Sequence, residues 1–477
     1  MKLLAHHRFI QISFEKVLLS AVILFIWGAV LILGKILPHT SATLLVVCFM
    51  LLYTLASYLA TVHHRRKMAR QDMLLFSQMD YQPTVSVIVP AHNEESVIEK
   101  TVENLLALDY PHYDLWVFDD RSKDGTVQVL EGLARKYPEK FHYVVRAMDA
   151  TPGKSAVLND ALALTTGDIL AVFDADAHVD ADFLQKTLPY FSVENVGAVQ
   201  ARKVILNAGV NTLTRCQHHE YMLDAHFQSG RDAIRGAVEL RGNGQLAKRE
   251  ALLSVKGWNE ETITDDLDLS TKFLIAGWDI RFAQNTQVRE EGILRFKPLL
   301  RQRRRWAEGS LKRYLEHALP MFTSPEISKR ASMDMLAYFL EFAFPIWVTA
   351  DLTIQTLNLF VHDWPNHLFS SLVVLPLISL FFISNLFVAI WYYEHPGWVK
   401  SVLYAIETSL FLTLVWVPVV MWITIKVLWA KDEGPLNWGK TEHLGTQAFV
   451  RRSRMARFKR LLQRSKERAL ALSRKGL

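Results

Sequence analysis

Five apolar runs dictate the architecture open to this chain. They cover Val17–Ile36, Ala42–Val62, Met335–Val361, Leu368–Tyr393 and Val402–Trp429. Each matches or exceeds the roughly 20 residues needed to cross a ~30 Å hydrocarbon core. The intervening stretch from Gln71 to Pro320 contains no such run and is long enough for a complete domain. The pattern predicts a polar domain inserted between two sets of membrane segments. The first run lacks a small-residue cleavage site and is followed at once by a second, so it reads as an anchor and not a signal peptide. His63, His64, Arg65, Arg66, Lys67 and Arg70 follow the second run and place that end, with the domain behind it, in the cytosol. Lys2 and Arg8 put the N-terminus on the same side.

Three C-terminal crossings would leave the basic tail outside, against the positive-inside rule. One run is therefore expected to lie in the interface or to re-enter. Met335–Val361, with Glu341, Pro345 and Asp351, is the costliest to place in lipid and is the expected exception, leaving four crossings. The expected divisions are 1–70 (two spans), 71–297 (cytosolic domain), 298–333 (interfacial helices), 334–430 (membrane region) and 431–477 (basic tail).

Half of the residues are hydrophobic and 21% are charged, which excludes a disordered or nucleic-acid-scaffolding chain. The net charge of +6 is local: the segment from Val450 onward alone carries +10, leaving the remainder at −4. Met455, Phe458, Leu461, Leu462 and Leu470 interrupt its charges, as in a helix lying on an anionic lipid surface. The other reading is a solvated tail that obeys the positive-inside rule. Two cysteines exclude a disulfide framework, and Cys216 with His218 and His219 fits no common zinc spacing.

Within the polar segment, Thr84–Pro90 is a β-branched run ended by proline, and Asn93-Glu-Glu95 is expected to open a helix with Val97, Ile98, Val102, Leu105 and Leu106 inward. Leu115–Phe118 runs into Asp119-Asp120, and Ile169–Phe173 into Asp174-Ala-Asp176. Strands alternating with helices predict an α/β domain with a doubly wound parallel sheet, whose ligands bind beyond the carboxyl ends of the strands. Neither a dinucleotide fingerprint nor a P-loop is present. Asp174 and Asp176 are candidate ligands for Mg²⁺ or Mn²⁺, since oxygen donors bridged by phosphate suit those ions better than zinc. Asp119 and Asp120 are either turn formers or partners of a uracil N3–H. Lys154, ahead of an apolar helix at 156–164, is either a solvated surface lysine or a group placed to meet a pyrophosphate. Thr264 is a suitable cap for a helix opened by Asp265, Asp266 and Asp268, where one carboxylate could serve as a general base. Gln302-Arg-Arg-Arg305-Trp306 reads either as a charge run at the membrane surface or as a site segment, in which the indole could stack on a sugar and an arginine could neutralise a leaving diphosphate.

Taken in order, Val89-Pro-Ala-His-Asn-Glu94, Phe118–Thr126, Gly153–Asn159, Asp174-Ala-Asp176, Thr264-Asp-Asp266 and Gln302-x-x-Arg305-Trp306 resemble the motif series of membrane-integrated family-2 glycosyltransferases of the GT-A fold. Trp306–Leu315 and Met333-Asp-Met-Leu look most like cyanobacterial-type β-monoglucosyldiacylglycerol synthases. The resemblance implies a donor site formed by Pro90, Asn93, Glu94, Asp119, Asp120, Lys154 and Asp174, with Asp174 and Asp176 at the metal. It implies Asp266 as catalytic base, and Gln302, Arg305 and Trp306 as a segment closing over the donor and meeting the acceptor. Asp265 stands where the family usually has Glu.

The implied reaction is inverting transfer of glucose from UDP-glucose to diacylglycerol, with Mg²⁺ or Mn²⁺, on a cytosolic domain of a multi-pass protein in a bacterial plasma or thylakoid membrane. The alternative is a processive polysaccharide synthase making poly-N-acetylglucosamine, a hyaluronan-like chain or a β-glucan. A third reading, a decayed nucleotide sensor, would be expected to have lost Asp174, Asp176, Asp266 or Arg305, and all four are present. No nucleic acid and no obligate protein partner is called for.

Overall fold

A computed structural model describes residues 2–36, 81–360 and 368–429, with scattered positions between 48 and 62. Most of the second N-terminal run, the basic cluster at 63–70 and the tail at 431–477 lie outside the described residues. α1 (Lys2–Ile36) comes first. β1 (Val85–Ala91), α2 (Ile98–Leu106), β2 (Tyr113–Asp119), α3 (Thr126–Lys136), β3 (Phe141–Val145), α4 (Lys154–Leu164) and β4 (Ile169–Val172) then alternate. β5 (His178–Val179), α5 (Phe183–Thr187), β6 (Val196–Ile205), α6 (Thr212–Ala233), β7 (Gln245–Lys248), α7 (Arg249–Ser254), α8 (Asp265–Ile275) and β8 (Asp279–Glu290) complete the sheet. α9 (Phe296–Glu316), α10 (Pro320–Thr323), α11 (Lys329–Leu357), α12 (Leu368–Glu394) and α13 (Trp398–Trp429) follow.

Every residue of β1 is buried, which suits a β-branched sequence in a central strand covered on both faces. α2 buries Ile98, Thr101, Val102 and Leu105 on one face. It starts later than the sequence suggests, because Asn93 adopts a left-handed φ of 57° that no α-helix accommodates. α4 starts earlier than expected, at Lys154 itself.

The sheet order is β3-β2-β1-β4-β7-β6-β8-β5. The parallel arrangement expected from the alternation holds across β3, β2, β1 and β4. It fails at β7, which runs antiparallel to both β4 and β6. Four residues carry too little alternation to reveal a direction. The reversal positions the site: Val172 at the end of β4 pairs with Gln245 at the start of β7. The chain entering β7, Arg241 to Gly244, is thereby brought beside Asp174.

The membrane-side helices are joined to the domain through apolar contacts. Met222 and Leu223 of α6 cluster with Leu386, Ala389 and Ile390 of α12 and Ala405 and Leu412 of α13. Ala307, Leu311 and Leu315 of α9 share a core with Val419, Val420, Ile423 and Val427 of α13. Val30 of α1 packs with Ala350 and Ile354 of α11.

Among the described residues, Phe14–Leu33 and Trp398–Trp429 are each long and apolar enough to cross a membrane. Lys329–Phe339 and Phe342–Leu357 pass that test only together, as a pair bent by 41°, the geometry of a broken span or a re-entrant segment. Asp351 within it is 2% exposed and accepts a hydrogen bond from Gln355 at 3.3 Å.

Candidate active site

The parallel register aligns the carboxyl ends of β1, β2 and β4, with Ala91 beside Asp119 and Ile88 beside Val172. Asp119, fully buried, accepts hydrogen bonds from the Ser122 hydroxyl and, at 2.9 Å, the Ser122 amide. Asp120 is held by Arg121 at 2.9 Å, Arg146 at 2.8 Å and the Gly153 amide at 3.2 Å. It is a hub that fixes the turn ahead of Lys154. The Asn93 amide donates to the Ser122 hydroxyl at 2.7 Å, and Asn93 Oδ1 accepts from the Lys123 amide at 2.6 Å, clamping the 120–123 turn. Pro90 and Glu94 face the cavity beside that turn.

Lys154 is the meeting point of the acids. Its Nζ donates to Asp174 Oδ1 at 2.6 Å and to the Gly242 carbonyl at 3.2 Å. Burial opposes the ammonium charge, but Asp174, Asp265 and Asp266 outweigh it and hold the lysine above its ordinary range. Gly242, at φ +76°, lies so close that an added Cβ would sit 3.2 Å from Asp266 Oδ2 and 3.5 Å from Lys154 Nζ. A side chain there would occupy the space between the Asp266 carboxylate and the Lys154 ammonium. Asp176 Oδ2 accepts the Glu291 amide at 2.9 Å.

Asp266 lies in the first turn of α8. Burial and the neighbouring Asp265 charge push its carboxyl up to about 6, with Lys154 and Arg241 pulling the other way. Thr264 takes the N-cap position, yet its side chain makes no capping hydrogen bond. It packs on Gly309 of α9 instead.

The charged groups that surround these residues carry almost no motif in the sequence. Glu290, at the end of β8, accepts from Lys203 at 3.0 Å, Tyr221 at 2.6 Å and Asn243 at 3.0 Å. Glu239 receives Arg231 at 3.2 Å and Arg241 and Arg313 at 2.8 Å each. Arg231 also binds Asp334 of α11 at 2.8 Å. Those three arginines hold the Glu239 carboxyl well below its ordinary range despite its burial. The one legible signal was Arg241-Gly-Asn-Gly244, since two glycines around an asparagine mark a turn of positive φ.

Gln302, Arg305 and Trp306 all lie on α9 and line the same cavity as Lys154, Asp174, Asp176 and Asp266. Its volume is about 1170 Å³. The cavity continues beyond Glu220 and Trp416 to Phe342, Pro345 and Val348 of α11, Phe382 of α12, and Leu412 and Val420 of α13. A charged end and an apolar end thus share one space.

Elsewhere, Asp268, Glu316 and His317 bring ligand atoms within 4.8 Å of one another, and His317 Nε2 lies 2.8 Å from Asp268. Cys216 is a buried free thiol, and His218 and His219 face Glu394 of α12 at 2.9 and 3.8 Å. These histidines serve packing between α6 and the membrane helices.

A mixed sheet with clustered acids at the carboxyl ends of its strands is that of a GT-A-type nucleotide-diphospho-sugar transferase. The mannosyltransferase PcManGT from Pyrobaculum calidifontis, solved in complex with GDP-Man and Mn²⁺, has this fold. It aligns with a TM-score of 0.52 at 20% identity, covering 81% of this chain and 99% of that one. Residues 83–309 match the family described as "Glycosyltransferase like family 2". The β-monoglucosyldiacylglycerol synthase of Trichormus variabilis is 47% identical over 260 residues, 54% of this chain and 55% of that protein. The synthase of the same name from Synechocystis sp. is 44% identical over 273 residues, 57% of each chain. The matched segment spans about half the length of these curated relatives.

Proposed function

We propose that the protein transfers glucose from UDP-glucose to the free hydroxyl of 1,2-diacylglycerol with inversion, giving β-monoglucosyldiacylglycerol. The observation that carries this reading is the cavity that joins Lys154, Asp174 and Asp266 to the apolar residues of α11, α12 and α13. An acceptor with a polar hydroxyl and two acyl chains matches both ends. A polysaccharide would call for a polar conduit, and the apolar end offers little to a sugar chain. The names of the two cyanobacterial relatives favour the same acceptor.

In this reading Asp119 and Asp120 border the uracil, with Asp120 steadied by Arg121, Arg146 and the Gly153 amide. Pro90, Asn93 and Glu94 shape the same wall. Asp174 and Asp176 offer only oxygen donors, which fits a hard divalent cation, Mg²⁺ or Mn²⁺, shared with a diphosphate. Such a cation supplies electrostatic stabilisation of the departing UDP. Lys154 and Arg305 meet the diphosphate charge. Asp266 removes the proton from the acceptor hydroxyl as its oxygen attacks the anomeric carbon, and UDP leaves from the opposite face. A carboxyl pushed up to about 6 is a stronger base than an ordinary aspartate and is still mostly ionised at neutral pH. Gln302 and Trp306 close over the reacting centre. The catalytic domain lies on the cytosolic side of a multi-pass protein, with the tail against anionic lipid.

The test is incubation of purified protein with radiolabelled UDP-glucose, Mg²⁺ or Mn²⁺ and diacylglycerol. A single chloroform-soluble glycolipid is expected. A water-insoluble polymer in its place would overturn the lipid acceptor.

A further inference from the structure

Arg303 is almost wholly buried, at 1% exposure. It sits in a run of three arginines that reads as a solvated charge cluster, and its neighbours Arg301, Arg304 and Arg305 do line the cavity. Arg303 lies behind that wall. Its NH1 donates to Gln302 Oε1 at 2.5 Å, and its guanidinium lies 4.2 Å from the centre of the Trp306 ring. Its NH2 donates to Glu220 Oε2 of α6 at 2.5 Å. Glu220 Oε1 in turn accepts the Trp416 indole N–H of α13 at 2.9 Å, and the Arg303 guanidinium is 5.9 Å from that ring.

One buried cation therefore touches two of the three motif residues that line the cavity, Gln302 and Trp306, and is tied to both walls on the acceptor side. A guanidinium is needed for this. It is planar and can donate in two directions while stacking, where an ammonium is a compact point charge. A buried charge is tolerated only when paired, and Glu220 supplies the pair.

We propose that Arg303 is a positioning residue for sugar transfer: it holds Gln302 and Trp306 as one surface and fixes that surface to Glu220 and Trp416 beside the acceptor. The proposal rests on the glycosyltransferase reading above. It assigns Arg303 no contact with substrate. Its effect is on where Gln302 and Trp306 stand when the acceptor oxygen approaches, and on how well they keep water from the donor.

The test uses the full-length protein in lipid nanodiscs. Arg303→Lys keeps a cation opposite Glu220 but loses the planar fork. The expected result is a folded protein that binds UDP-glucose as the wild type does, with transfer reduced by about 10²-fold, the scale of a small misplacement at a reacting centre. Release of UDP to water, measured without acceptor, should rise relative to transfer. Trp416→Phe, which deletes the indole donor to Glu220, should add little further loss in the Arg303→Lys background, because both act through one link. Wild-type transfer and hydrolysis in Arg303→Lys would overturn the proposal. So would a loss of donor binding that parallels the loss of transfer, since that marks a generally damaged domain. Should Arg303→Lys fail to fold, the paired substitution Arg303→Met with Glu220→Gln removes both charges and is scored by the same ratio. A wild-type protein that makes no glycolipid would sink the acceptor reading alone, because the hydrolysis readout still reports on Arg303.

Discussion

Gly309 of α9 rests against Thr264 so closely that a Cβ added there would lie 2.4 Å from Thr264 Cγ2. Thr264 immediately precedes Asp265 and Asp266, and Gly309 lies three residues beyond Trp306. The contact makes α8, with the proposed base, and α9, with the cavity-facing motif, one mechanical unit. His317 and Asp268, 2.8 Å apart, close the same unit at the far end of α9.

Gly309→Ala should therefore push the two helices apart. Overpacking of this kind costs about 1–3 kcal/mol of stability. The larger effect is expected on transfer, with kcat falling while donor binding persists. Steady-state kinetics beside equilibrium donor binding checks it, and an alanine variant with wild-type kcat would show that the contact is slack.

Asp266→Asn should retain UDP-glucose binding and lose transfer by about 10²–10⁴-fold. In the wild type the base must be ionised, so the rate should climb as pH rises through about 6 and level off above. The asparagine variant should lack that acid limb in whatever activity remains. Rate–pH profiles of the two proteins, taken from one preparation, decide this, and a retained limb would move the base to another residue.

Asp176→Asn should abolish the dependence of donor binding on added Mg²⁺ or Mn²⁺. Titrating the metal against UDP-glucose binding is the measurement. An unchanged metal dependence would remove Asp176 from the metal site.

Glu239→Gln should destabilise the fold by about 3–5 kcal/mol, since it leaves the buried Arg231 and Arg313 and the half-buried Arg241 around a neutral amide. The glutamate is held below its ordinary range, so its contribution is present above the unfolded value near 4.5 and is lost only as pH falls through the depressed folded value. Thermal melts at neutral and mildly acidic pH should show the variant's deficit throughout that window. Equal melting temperatures would mean the arginines find other partners.

Leu412→Trp should fill the apolar end of the cavity. The expected effect is a rise in KM for diacylglycerol of about tenfold, equivalent to 1.4 kcal/mol, with UDP-glucose binding unchanged. Acceptor titration in mixed micelles is the check, and an unaltered KM would place the acyl chains elsewhere.

The acids at the strand ends were legible because each terminates an apolar run, and a carboxylate in that place has few structural reasons to be there. The domain's position between membrane segments was legible from run length alone. β7 was not, being four residues long and reversed; Arg241-Gly-Asn-Gly244 is legible as a turn, but its placement beside Lys154 depends on that reversed strand. Asp120 reads in sequence as either a turn former or a uracil partner, while Arg121 and Arg146, which arrive from 1 and 26 residues away to hold it, are not foreseen. Arg303 was the least legible residue, since three consecutive arginines look alike until burial separates one from the others.

The cavity's apolar end, walled by α11, α12 and α13, has a kinetic consequence for a lipid acceptor. Such an acceptor arrives by diffusion in two dimensions, so its effective concentration is a mole fraction of the bilayer. Diluting diacylglycerol with inert phospholipid at fixed bulk amount should slow the enzyme, as surface dilution does for any catalyst that draws its substrate from the membrane plane. Under the proposed function, glucolipid made there would stay in the same plane and compete for the same entrance, so output would be tied to the composition of the surrounding membrane.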